Sequence, residues 1–330
     1  MKVLIVTGRW AKDIEESPVF GDLAENAEVV ITTEMDQEVL SGMVDDVDVI
    51  ITGAPIKAEV INNAENLKLI QTTSVGFDHI DAKTAAENGV AICNAAEANA
   101  NSVAELTFGL ALDLARRISI HNKSMKEGGW GRIELERQVQ IRHKTLGIIG
   151  LGAIGSRVAQ IGVNAFDMEM IACDPYIVGD RADQFGGRLV DMDAVFREGD
   201  IVTVHVPLSD ETRHMIGERE FRMMKPTAIF INTSRGPVID EEALIRVLKD
   251  EGISGAGLDV FETEPLPEDS PLRELDNVVL TPHIGSTPGA LKHMVDEALL
   301  NVLRIVKEKE PYHRRLKTPE VYYKSKRWKR

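Results

Sequence analysis

Cysteine is nearly absent from these 330 residues, with only Cys93 and Cys173 present. That excludes a disulfide framework and a cysteine-built metal site, and both thiols read as reduced side chains within strands. No apolar run is long enough to cross a bilayer. Positive charge is in short supply: 38 Lys and Arg stand against 53 Asp and Glu, a net charge of −15. A body of that sign is repelled by phosphate, so general nucleic-acid binding is excluded. Low-complexity segments and short-period repeats are also missing. The opening MKVLIVTG holds one lysine and a short apolar run, which reads as a first strand rather than a signal-peptide core. The expectation is a cytoplasmic protein with no membrane partner and no metal.

What is present is a globular composition, 43% hydrophobic and 28% charged. A chain of 330 residues exceeds one ordinary core, so two domains are expected. Short β-branched runs at 3–6, 29–33, 49–52, 67–71 and 90–93 alternate with helical stretches such as 36–43 and 58–63. That alternation implies parallel βα units. A segment with few breakers, 99–127, reads as one or two helices and ends at Gly128, Gly129, Trp130 and Gly131. The alternation then resumes with strands at 145–149, 168–173, 201–204, 228–232, 255–260 and 278–280, and a last amphipathic helix at 288–307. The symmetry of the pattern predicts a discontinuous layout. Residues 1–98 with 287–330 form one domain, the last helix packing back on the first strands, and 99–286 form the other.

Residues 145–174 organise the second half. The run 145–149 is followed directly by Gly150, Gly152 and Gly155, spaced G-x-G-x-x-G, then by a helical pattern over 153–165 and a strand that ends at Asp174. Glycines alone often only punctuate turns. Strand, glycine turn, helix, strand and acid in this order are what a dinucleotide site needs. Gly150 permits the tight turn, Gly152 lets backbone approach a pyrophosphate, and Gly155 lets helix pack on strand. The helix N-terminus presents unpaired N–H groups to the phosphates. Asp174 stands where a carboxylate accepts hydrogen bonds from the adenosine ribose and repels a 2′-phosphate, so NAD (NADH) is expected over NADP.

A nicotinamide cofactor needs a reacting carbon, a proton shuttle and a group that holds the substrate's charge. Three polar residues follow predicted strands on the carboxyl side, where α/β sheets place ligands: Arg235 in NTSRGP, Glu264 in GLDVFETEP and His283 in LTPHIGS. Taken singly, a loop Arg or Glu is usually a solvated charge and a lone His is usually structural. Together they suit ketone reduction. The imidazole moves a proton near neutral pH, a neighbouring carboxylate favours its protonated form, and the guanidinium fork holds a carboxylate and a carbonyl oxygen.

The motifs TTSVGFDHID, GLGAIG, INTSRGPVID, GLDVFETEP and LTPHIGS, in this order from about residue 3 to 308, closely resemble the D-isomer-specific 2-hydroxyacid dehydrogenases. The resemblance implies an α/β protein with two Rossmann-like, doubly wound parallel-sheet domains and an interdomain active-site cleft. It implies a homodimer joined largely through the helical arm around 100–140. It makes His283 the acid/base, Glu264 its partner and Arg235 a substrate ligand. The N–H groups of Val75 and Gly76 would hold the substrate carboxylate, with Ser286 nearby. Ala153, Ile154 and Thr233 would join the glycines and Asp174 in binding the cofactor, Val206 and Pro207 would line the adenine pocket, and Asp259 would bind the nicotinamide carboxamide. Asp78 would shape its loop.

Departures from the family's wording narrow the substrate. Formate dehydrogenases carry Gln in place of Glu264, and phosphite dehydrogenases carry Lys in place of Val75. Phosphoglycerate dehydrogenases hold phosphate with arginines, whereas no Arg lies between Arg9 and Arg116 here. Alignment puts those arginines at Thr72 and near Ile51. The loop SVGFDHID is similar to that of glyoxylate/hydroxypyruvate reductases. Reduction of a short 2-keto acid to its D-2-hydroxy acid with NADH is therefore expected. The alternatives are D-3-phosphoglycerate dehydrogenase, with Lys57 or a partner-subunit residue holding the phosphate, and, of another class, an NADH-sensing corepressor-like binding protein. The last twenty residues hold eight basic side chains against one acid. They read as a solvated end or one lying on the acidic body.

Overall fold

A computed structural model of the chain describes residues 1–7, 11–95, 97–132, 135–177, 182–308, 310 and 316–324. Most of the basic tail lies outside these residues. The chain divides into two compact units, Met1–Asn99 with Thr287–Arg330, and Ala100–Ser286.

The first unit is built on five parallel strands: β1 (Lys2–Val6), β2 (Glu28–Thr32), β3 (Val49–Thr52), β4 (Leu69–Thr72) and β5 (Ala91–Cys93), in the order β2-β1-β3-β4-β5. Side chains alternate across a strand, and here both faces are covered. Leu4, Val6, Ile50 and Ile70 pack on one side with Leu40, Val60 and Ile61 of the short helices. Val3, Ile5, Val49, Ile51 and Leu69 pack on the other with Val295, Ala298, Leu299 and Val302. Those last four belong to the Pro288–Glu308 helix, which buries its stripe at three- and four-residue spacing. Its buried Asn301 donates to Gln71 Oε1 at 2.6 Å, since an amide in that stripe needs a partner. Residues 316–318 lie along β5. Leu316 bridges Cys93 in antiparallel sense, Lys317 N donates to Ile92 O at 2.8 Å, and Ile92 N donates to Thr318 Oγ1 at 2.9 Å.

The second unit has seven parallel strands: β6 (Thr145–Ile149), β7 (Glu169–Cys173), β8 (Arg188–Leu189), β9 (Ile201–Val204), β10 (Ile229–Asn232), β11 (Gly255–Leu258) and β12 (Val278–Leu280). Their order is β12-β11-β10-β9-β6-β7-β8. Strand order reverses between β6 and β9, and such a switch point opens the crevice in which α/β sheets bind ligands. The Ala100–Arg116 helix packs on β11 through Leu110 and Leu114, where only glycine fits. A Cβ on Gly257 would lie 2.9 Å from Leu110 Cβ, and one on Gly255 3.0 Å from Leu114 Cδ2.

Several boundaries differ from the sequence reading. The stretch 99–127 is two helices, Ala100–Arg116 and Ile118–Lys126, broken where Arg117 takes a left-handed conformation at φ 55°. β4 starts at Leu69 because Leu67 closes the preceding turn on Ala64. β11 ends at Leu258, since the next residue, Asp259, gathers loop donors. Cys93 is buried in β5, whereas Cys173, at the end of β7, is only partly buried. Burial, with Asp174 and Asp191 adding to it, pushes its thiol pKa up. Among the described residues no helix is long and apolar enough to cross a membrane.

Candidate active site

The glycine turn follows β6 at the switch point. Gly150 has φ +90°, and a Cβ there would stand 2.7 Å from His205 O and 3.0 Å from Val206 Cγ1. The residue after β9 therefore presses directly on the turn. A Cβ on Gly155 would lie 2.0 Å from Gly150 O, so glycine alone lets the Ala153–Phe166 helix start this close to the strand. A Cβ on Gly152 would meet nothing within 4 Å, which leaves open room in front of the turn. Gly152 caps the helix without a side-chain bond. Among the described residues, the N–H groups of Ala153, Ile154 and Gly155 have no protein acceptor. Asp174 reaches back to the same turn, its Oδ2 accepting from Leu151 N at 2.9 Å, while its Oδ1 accepts from Tyr176 N of its own loop at 2.9 Å. A glycine cradle, free helix-end donors and an acid beside them fit a dinucleotide.

Arg235, Glu264 and His283 follow β10, β11 and β12, three neighbouring strands of one sheet. Asn232, fully buried, folds the first loop: its Oδ1 accepts from Ser234 N and Ser234 Oγ, and its Nδ2 donates to Arg235 O at 3.1 Å. Arg235 Nη1 donates to Ser234 O at 2.8 Å. Glu264 spans two loops, with Oε1 accepting from Phe261 N at 3.1 Å and Oε2 lying 2.7 Å from His283 Nδ1. His283 Nε2 has no hydrogen-bond partner among the described residues.

His283 sits at φ 53°, a left-handed conformation that costs a β-carbon-bearing residue strain and persists only where its surroundings enforce it. Here its N–H donates to Asp259 O at 2.9 Å and Thr281 O at 3.0 Å. Asp259, 1% exposed, ties the rest of that loop down. Its Oδ1 accepts from Thr281 Oγ1 at 2.6 Å and Ile284 N at 2.8 Å, and its Oδ2 from Gly285 N at 2.9 Å. Burial pushes the Asp259 pKa up, while these bonds pull it down. The carboxylate assigned by resemblance to the cofactor thus already serves as the loop's anchor, with acceptor capacity left on Oδ2.

The remaining expected residues fall into place unevenly. Thr233 is buried, its Oγ1 3.1 Å from Thr107 Oγ1. Val206 adjoins Gly150, and Pro207 O accepts from Thr212 Oγ1 at 2.6 Å. Ser286 follows the anchored Gly285. In the first unit, Val75 and Gly76 lie in the loop after β4, and among the described residues their N–H groups donate to nothing. Ile51 and Thr72, where arginines were sought, are fully buried strand residues, and Thr72 Oγ1 donates to Ser74 O at 2.8 Å. Sequence reasoning also passed over Asn232, Asn94 and the His214–Glu262 pair. Asn94 and the His214–Glu262 pair depend on loops meeting in space, whereas Asn232 bonds within its own turn. Among the described residues no three His, Cys, Asp or Glu side chains gather as metal ligands would.

The sequence pattern of "D-isomer specific 2-hydroxyacid dehydrogenase, NAD binding domain" matches residues 108–285. The chain is 43% identical to the D-3-phosphoglycerate dehydrogenase of Methanocaldococcus jannaschii over 86% of its length and 55% of that protein's. It spans about half the length of the first curated relatives it matches. It is 39% identical to the hydroxypyruvate reductase of Thermotoga maritima, covering 87% of this chain and 93% of that one. Among solved structures, an acyclic imino acid reductase (Bsp5) in complex with NADPH and D-Arg superposes with a TM-score of 0.86 at 28% identity, covering 96% of this chain and 99% of that chain. A glycine turn at the switch point, Arg, Glu and His after three adjacent strands, the matched family pattern, and 39% identity over most of a hydroxypyruvate reductase place the chain in the D-isomer-specific 2-hydroxyacid dehydrogenase family.

Proposed function

We propose that the chain is an NAD-dependent oxidoreductase that interconverts a 2-keto acid and its D-2-hydroxy acid, with His283 as acid/base. The observation that carries this reading is the 2.7 Å contact of Glu264 Oε2 with His283 Nδ1, one strand away from Arg235. We assign Ala100–Ser286 to cofactor binding and Met1–Asn99 with Thr287–Arg330 to substrate binding. Gly150, Gly152, Ala153, Ile154 and Gly155 would hold the pyrophosphate, Asp174 the ribose, and Val206, Pro207, Thr233 and Asp259 the remainder. The nicotinamide, when bound, supplies or accepts the hydride. Glu264 fixes the His283 ring through Nδ1, so Nε2 gives the keto oxygen its proton in reduction and takes it back in oxidation. Arg235 holds the carbonyl oxygen and carboxylate with its donor fork. The Val75 and Gly76 N–H groups, with Ser286, take the carboxylate. The case for NAD over NADP rests on the Asp174 carboxylate, because a solved neighbour carries NADPH.

For the substrate, D-3-phosphoglycerate is the better supported reading. The first three relatives, at 39–43% identity, are D-3-phosphoglycerate dehydrogenases. Lys57, exposed in the loop after β3, is available to a phosphate. The second reading, glyoxylate or hydroxypyruvate, is favoured by the SVGFDHID loop and by the relative from Thermotoga maritima. A second copy would join through the arm, where Ile118, Met125, Trp130 and Leu135 are exposed. Light scattering at micromolar protein tests this, and a monomer would contradict it.

The deciding assay follows loss of NADH absorbance, and of NADPH absorbance in parallel, with phosphohydroxypyruvate, hydroxypyruvate, glyoxylate and pyruvate. A tenfold lead in kcat/KM for the phosphorylated acid, about 1.4 kcal/mol, selects the first reading, and a lead for a short acid selects the second. Tight NADH binding without turnover of any acid would mark a sensor and overturn the enzyme reading.

A further inference from the structure

The loop that follows β4 is held by its carbonyl groups. Ser74 O accepts from Thr72 Oγ1 at 2.8 Å and Ala95 N at 3.1 Å. Gly76 O accepts from Ser74 Oγ at 2.7 Å. Between them, Val75 O accepts from Asn94 Nδ2, and no other described group donates to it. Three consecutive carbonyls are thus pinned by their own chain.

A trans peptide is planar, so each C=O and the N–H of the following residue point in opposite directions. Pinning Ser74 O fixes the direction of the Val75 N–H, and pinning Val75 O fixes that of the Gly76 N–H. These are the two N–H groups without a protein acceptor. Ser74 O has two donors and tolerates the loss of one. Val75 O has only Asn94.

Asn94 is itself an unusual core residue. It sits just past β5, is 2% exposed, and its Oδ1 is buried with no hydrogen-bond partner among the described residues. Burying an amide oxygen unpaired is costly, and an amide kept only for packing would be replaced by an apolar side chain at a gain. The one bond it makes is the one that aims Gly76.

We infer that Asn94 is a positioning residue that orients the Gly76 N–H, and with it the paired N–H site of Val75 and Gly76, toward a substrate carboxylate. The inference rests on the proposal above that these two N–H groups bind that carboxylate. Asn94 need not touch substrate. It holds the peptide plane so that no reorientation is required when the anion arrives, which lowers the cost of binding.

The test compares full-length wild type with Asn94→Leu, of similar size and without a donor, and with Asn94→Ala should the first variant fail to fold. Steady-state kinetics with saturating NADH would use the 2-keto acid that turns over fastest and its uncharged carboxamide. For wild type, the acid is expected to have the lower KM. In the variant, KM for the acid rises about five- to tenfold, the effect of losing one aimed hydrogen bond. KM for the amide, KM for NADH and kcat stay within about twofold. A merely structural role would lower the melting temperature and move all of these together or none, and either outcome overturns the inference. If wild type itself does not distinguish acid from amide, the carboxylate assignment to Val75 and Gly76 fails first, and the role of Asn94 falls with it.

Discussion

Gly236 stands so close to Phe261 that a methyl group on its α-carbon would meet the Phe261 carbonyl carbon and oxygen at 1.9 Å. The loop that carries Arg235 therefore rests directly on the loop that leads to Glu264. The clash is with main chain, so no rotamer change relieves it. Gly236→Ala should cost more than the ~1–3 kcal/mol usual for overpacking and displace Arg235 and Glu264 together. A melting curve and kcat/KM measured side by side check this. Wild-type values in both would mean that the loops are not in contact.

His283→Ala should lower kcat by a factor of about 10²–10⁴, the range of a lost general acid. Because the ring lies apart from the glycine turn in sequence and bonds only to Glu264, the dissociation constant for NADH should not change. Fluorescence titration of the bound nicotinamide measures that constant, and unimpaired turnover would rule out the assigned role.

Asp174 has two tasks that a careless substitution would confuse. It accepts from Leu151 N inside the glycine turn, and in the proposed function its charge opposes a 2′-phosphate. Asp174→Asn keeps an acceptor for Leu151 and removes the charge. The ratio of kcat/KM for NADPH to that for NADH should rise at least about tenfold, or ~1.4 kcal/mol. An unchanged ratio would leave cofactor choice to other residues.

Acid should act on the Ala100–Ser286 unit through His205. Burial pushes its pKa down to about 3, and its Nδ1 has no hydrogen-bond partner among the described residues. The unfolded chain takes up that proton near the ordinary value of about 6.5, while the folded chain does so only near 3. Between these values the unfolded state binds more protons, so stability falls as pH drops through that window. His205→Gln, which can still reach Thr203 Oγ1, removes the liability and should move the midpoint of acid unfolding to lower pH. Circular dichroism against pH at fixed temperature reads it, and coincident curves would refute it.

What the sequence disclosed was mostly local. β-branched runs bounded by turn residues marked the strands, and the glycine spacing marked the turn after β6, because in both cases the physics is confined to neighbours in the chain. Arg235, Glu264 and His283 could be seen because motif and strand end coincide. The pairing of Glu264 with His283 was expected only through the family resemblance, since it depends on β11 and β12 lying side by side. Asn94 reaches Val75 only through the pairing of β4 with β5. The helix break at Arg117 has no glycine or proline to announce it.

One strand edge reaches further than catalysis. β5 is the outermost strand of its sheet, and its outer backbone groups are met by residues 316–318, which come from the far end of the chain. A chain cut before Leu316 would retain every residue assigned here to chemistry and would leave that row of donors and acceptors bare. Such an exposed edge is a template for intermolecular strand pairing. Proteolytic loss of this short segment would then be felt as precipitation, with sheets joining edge to edge, before any defect in turnover could be measured.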